Sequence, residues 1–101
     1  MNNDTYKVTV AKDLEDLIPV FMSNRRKEVD SLRAALVATD LEQLRQLGHR
    51  MKGVGNSYGF EQISVLGKQI EDRAKIKDLT GLQTLITEYN DYLARVSIVY
   101  E

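Results

Sequence analysis

The sequence holds a single histidine, His49, and no cysteine. Imidazole is the one side chain whose unperturbed ionisation falls between about pH 5 and pH 8, and its neutral ring offers a nitrogen lone pair. The absence of cysteine removes disulfides, thiolate metal sites and thiol nucleophiles. A lone histidine also removes multi-histidine metal sites, since a zinc centre would need three further ligands. What remains is the chemistry of one imidazole and its neighbours. Lys52 follows three residues later, close enough on a helix to share the space beside the ring. An ammonium there would stabilise an anion carried by, or delivered to, the ring nitrogen. The ordinary alternative is a solvated surface lysine. Arg45, one turn earlier, either adds to the same field or pairs with Glu42.

Gly53 follows Lys52. Each glycine in a helix interior loses about 1 kcal/mol against alanine, and this stretch also contains Gly48 and Gly55. Stepping about 100° per residue from Leu41 places Leu41, Leu44, Leu47, Met51, Val54 and Tyr58 on one side. His49 falls opposite them, with Glu42, Arg45, Gln46, Lys52, Gly53 and Asn56. Gly48 and Gly55 border the apolar side, where a missing side chain permits close helix approach. Gly53 lies on the outer side, where packing gives no reason for glycine. It is either a notch that lets something large reach the imidazole or a tolerated defect.

These residues need a helix to align them, and periodicity supplies one among several. Leu14, Leu17, Ile18, Phe21, Met22, Val29, Leu32 and Leu36 follow helical spacing. Pro19 predicts a short first helix ending near Ile18 and a longer second helix starting at Pro19, where a missing N–H is harmless. Ala38-Thr39-Asp40 closes the second. Asp40 reads as an N-cap with Gln43 in a box-like arrangement. The third helix runs from about Leu41 to Ser57 or Tyr58, with Gly59 as a left-handed terminator. Phe60, Ile63, Leu66, Ile70 and Ala74 mark a fourth, ending in the cationic stretch Asp72–Lys77. Thr80 with Gln83 resembles another capping box, and Leu82, Leu85, Ile86, Tyr89, Leu93, Val96 and Tyr100 extend a last helix. Short connections favour antiparallel neighbours. The expected fold is all-α: an up-and-down antiparallel four-helix bundle with a short additional N-terminal helix.

At 101 residues, 43% hydrophobic and 29% charged, the chain suits one folded domain, 1–101. Fourteen Lys plus Arg against fifteen Asp plus Glu give a net charge of −1, which argues against nucleic-acid binding. No apolar run approaches the roughly 20 residues of a membrane span. Met1-Asn2-Asn3-Asp4 lacks the basic and apolar regions of a signal peptide. A cytoplasmic binding module, adaptor or carrier is the expectation, monomeric because no sustained heptad seam extends beyond the core.

His49-Arg50-Met51-Lys52-Gly53, followed by Gly59, Leu66 and Ile70-Glu71, resembles the signature of histidine phosphotransfer (HPt) domains. Phe21–Arg26 through Leu32–Leu36 resembles the family's second helix, and Asp40-Leu41-Glu42-Gln43-Leu44 the start of its histidine-bearing helix. The likeness spans about residues 11–96, with Gly48 standing where the family usually has Ala. It implies that His49 accepts a phosphoryl group from a receiver-domain phospho-aspartate and passes it to another receiver. Lys52 would neutralise phosphoryl charge and Gly53 would give steric clearance. Arg45, Gln46 and Asn56 would dock the partner or tune the local field. The role of Glu71, at a position where relatives place Gln or Glu near the imidazole, is left open. Implied partners are response regulator receiver domains and a hybrid histidine kinase. No cofactor is expected on this chain; Mg²⁺ belongs to the partner's acidic pocket. With no glycine-rich nucleotide loop, the chain is expected to carry phosphate without kinase activity of its own. The competing reading is a phosphorylation-independent adaptor or inhibitor docking on a receiver or kinase domain. The start at Met1 and a helical end near Tyr100 favour a free-standing domain.

Overall fold

The computed structural model describes residues 5–101; Met1–Asp4, read above as no leader, lie outside the described residues. The order is β1 (Tyr6–Val10), a 3-10 segment (Lys12–Leu17), α1 (Ile18–Val37), α2 (Leu41–Tyr58), α3 (Glu61–Lys75), α4 (Leu79–Arg95) and β2 (Val96–Tyr100). Pro19 sits in the first turn of α1, where its fixed φ suits the helix and its missing N–H leaves no gap in the ladder.

One turn design joins the helices. Asp40 N–H donates to Ala35 O at 2.8 Å and Thr39 N–H to Leu36 O at 3.0 Å. Phe60 and Gly59 repeat the pattern on Gly55 and Asn56, and Asp78 and Lys77 on Arg73 and Ala74. Each turn is a Schellman closure with one left-handed residue: Thr39 at φ 52°, Gly59 at 82° and Lys77 at 60°. The next residue is already the N-cap of the following helix. Asp40 accepts from Gln43 N–H at 3.1 Å, and Asp78 accepts from Gly81 N–H at 2.9 Å.

Such turns reverse the chain, and the contacts follow. Gly48 and Gly55 of α2 abut Gly67 and Ser64 of α3 in descending order, so these helices run antiparallel. Phe21 at the start of α1 stacks on Tyr58 at the end of α2, with ring centroids 4.4 Å apart. Phe21, Leu32, Leu44, Met51, Phe60, Ile63, Leu66, Ile70, Leu82, Ile86 and Tyr89 fill the shared core. Between α1 and α4 the buried Tyr89 hydroxyl donates to Glu28 Oε1 at 2.7 Å, and Arg25 Nε lies 3.1 Å from the same oxygen. Burial pushes the Glu28 carboxyl up from its ordinary value, partly offset by Tyr89, Arg25 and Arg50; burial likewise raises Tyr89.

The described residues are therefore mostly helical, with four α-helices, but they also form a two-stranded parallel sheet that the all-α expectation lacked. The last helix does not reach Tyr100: it stops at Arg95, and Val96–Tyr100 runs parallel to Tyr6–Val10, in register Tyr6↔Val96 to Val10↔Tyr100. The β-branched content of both segments suits a pleated surface, and Val96, Ile98 and Tyr100 alternate inward against exposed Ser97 and Val99. The sheet is closed by Lys12 N–H on Glu101 O at 2.9 Å and Glu101 N–H on Val10 O at 3.1 Å. The expected extra N-terminal helix is not clearly present: Lys12–Leu17 forms a six-residue 3-10 segment leading into α1. The cap of α4 is Asp78, not Thr80. No helix among the described residues is long and apolar enough to cross a membrane.

Candidate functional site

α2 presents its apolar residues inward, with Leu44, Leu47 and Met51 buried, and this fixes what stands outside. The His49 side chain is 64% exposed, and its Nδ1 lies 3.2 Å from Oε2 of Glu71 on α3. A carboxylate only accepts hydrogen bonds, so this geometry assigns a ring hydrogen to Nδ1, and in the neutral ring the lone pair is then on Nε2. Glu71 itself is only 8% exposed. Two ammonium groups approach it from different helices. Lys52 Nζ of α2 lies 3.9 Å from Oε1, and Lys75 Nζ of α3 lies 3.8 Å from Oε2.

A carboxylate rooted on a neighbouring helix reaches the ring because α2 and α3 touch backbone to backbone. A Cβ on Gly48 would stand 2.7 Å from both Glu71 N and Gly67 O. One on Gly67 would stand 2.6 Å from Gly48 O and 2.7 Å from Lys52 N. These distances fall well inside ordinary carbon contact, so only glycine fits. Further along, Ser64 Oγ donates to Lys52 O at 2.6 Å, and a Cβ on Gly55 would meet Ser64 N at 2.6 Å. The close approach anticipated for Gly48 and Gly55 is present, with Gly67 as its counterpart across the interface.

Gly53 is the opposite case: a Cβ there would have nothing within 4 Å. With Asn56 it forms an exposed strip beside His49. Arg45 is not turned towards the imidazole. It holds Glu42 through Nη2–Oε2 at 2.6 Å and Nε–Oε1 at 3.0 Å, and Gln46 Nε2 donates to the same carboxylate at 2.9 Å. The Arg45 and Gln46 hydrogen bonds hold the Glu42 carboxyl down at about 2. Of the six residues singled out from the sequence, His49, Lys52 and Gly53 thus share one small surface with Asn56. Arg45 and Gln46 form a separate polar cluster a turn away. The sequence reading left Glu71 without a role, took Lys75 only as one of the cations at a helix C-terminus, and passed over Gly67. The Glu71–Lys75 spacing of four was the available signal for an ion pair on α3, but nothing local pointed it at His49.

Comparisons with curated proteins and with solved structures find no match. The family model of the Hpt domain matches residues 11–97, from the 3-10 segment through the start of β2. That span takes in all four helices and every residue around His49. The chain belongs to the Hpt domain family, whose members take part in histidine phosphotransfer in phosphorelays.

Proposed function

We propose that this chain accepts a phosphoryl group on Nε2 of His49 from the phospho-aspartate of one receiver domain and delivers it to another. The observation that carries this reading is the exposed imidazole tethered through Nδ1 to a buried carboxylate, with Lys52 beside it and open space over Gly53. In the forward step the Nε2 lone pair forms an N–P bond as the acyl phosphate P–O bond breaks. The electron pair leaves on the receiver's aspartate carboxylate. Nδ1 keeps its hydrogen, the ring takes up a positive charge, and Glu71 lies against that charge. Return transfer reverses each event.

Phosphoryl transfer of this kind passes through a loose transition state, so positioning and charge stabilisation supply most of the catalysis. Glu71 fixes the ring, Lys52 offsets charge on the phosphoryl oxygens, and the bare Gly53 surface lets a partner's backbone approach. Arg45, Gln46 and Asn56, on the same outer side of α2, would meet the rim of a docked partner. The Mg²⁺ that such chemistry uses resides in the receiver, and the chain itself carries phosphate in the cytoplasm without making it from ATP. Incubation with a phosphorylated receiver should give an acid-labile, base-stable label that a second receiver discharges and that His49→Gln abolishes. A label of equal size in His49→Gln overturns the reading. Receiver binding that survives His49→Gln, with no transfer by the native chain, would make the protein an adaptor instead.

A further inference from the structure

Lys75 lies outside every motif that marks the site, yet its Nζ stands 3.8 Å from Glu71 Oε2, the same oxygen that accepts from His49 Nδ1. We propose that Lys75 is a positioning residue for phosphoryl transfer: it anchors the Glu71 carboxylate so that Oε2 stays on the imidazole. The inference rests on the carrier reading above and adds a second cation to it.

Three observations converge. Glu71 is almost fully buried while Lys75 is half exposed, so the ammonium reaches in over the carboxylate and keeps contact with water. The two lysines take different oxygens, Lys52 on Oε1 and Lys75 on Oε2, which restrains rotation of the carboxylate about its terminal bond. Lys75 is also rooted on α3 four residues after Glu71, whereas Lys52 arrives across the helix interface. Loss of Lys75 therefore leaves the carboxylate held only from α2, by Lys52 and the His49 ring.

The test compares the native chain with Lys75→Ala, Lys75→Arg, Glu71→Gln and the Lys75→Ala/Glu71→Gln double variant. Acceptance rates are measured with a small phosphoramidate donor and with a phosphorylated receiver. Thermal melts confirm that each variant folds. Lys75→Ala should slow acceptance about three- to fivefold with both donors, the scale of one partly exposed charge pair. Lys75→Arg should restore most of the rate. In the Glu71→Gln background, Lys75→Ala should add no further loss. An unchanged rate overturns the proposal. So does a loss seen only with the receiver, which would make Lys75 a docking contact, or an undiminished loss without Glu71. Failure of the native chain to take label from either donor would instead sink the carrier reading.

Discussion

Gly48 and Gly53 lie five residues apart on α2 and show two unrelated uses of a missing side chain. At Gly48 backbone from α3 fills the space, whereas at Gly53 nothing does. Substitution at Gly53 should therefore separate folding from transfer. Gly53→Ala should stabilise the chain by about 1 kcal/mol, the helix-propensity gain. Gly53→Glu should melt no lower than the native chain yet slow transfer from a receiver strongly. A Gly53→Glu chain that unfolds, or that transfers at the native rate, would contradict the clearance role. That His49, Lys52 and Gly53 share the outer side of α2 was legible from sequence, because a helical wheel needs only local spacing. Lys75 and Gly67 were not, because what they touch belongs to another part of the chain. Arg45 had two readings, and the nearer carboxylate of Glu42 won.

At the scale of elements, the three helix reversals use one backbone design with unequal side chains. Gly59 suits its left-handed conformation, whereas Thr39 and Lys77 adopt it against the clash of a Cβ. Thr39→Gly and Lys77→Gly should each raise stability by about 0.5–1 kcal/mol in urea melts, and Gly59→Ala should lower it by about 1 kcal/mol. Lower stability in both glycine variants would contradict this account of the turns. The spans of α1, α2 and α3 and the Asp40 cap were legible, since apolar spacing and N-cap chemistry are local signals. The Thr80–Gln83 pair matched a capping template equally well, but Lys77 sets the turn two residues earlier and makes Asp78 the cap. Leu93, Val96 and Tyr100 satisfied helical spacing, while Val96, Ile98 and Tyr100 satisfied strand spacing. A short apolar run does not choose between the two; pairing with Tyr6–Val10, distant in sequence, decides it.

For the whole molecule, stability and transfer should be separable. Deleting residues 96–101 removes β2 and uncovers Val10, which is buried in the native chain. Loss of one buried valine alone is worth about 1.5–3 kcal/mol, so the melting temperature should fall while His49 still takes label. A truncated chain that stays folded but cannot be labelled would contradict this independence. Glu28 supplies a pH signature. Its folded carboxyl ionises above the ordinary 4.5, chiefly because burial penalises the charge. Its contribution is therefore full below about pH 4.5 and is lost as pH rises through the raised value. Urea melts of native and Glu28→Gln chains should show the native chain losing ground to the variant as pH rises through that window. A difference independent of pH would contradict the assignment. The central claim, however, concerns one atom. After phosphorylation of a chain carrying ¹⁵N-labelled histidine, the coupling between phosphorus and ring nitrogen identifies the bonded position. Coupling to Nε2 of His49, with hydrogen retained on Nδ1, is the predicted result; phosphorus on Nδ1, or on any other residue, would contradict the account.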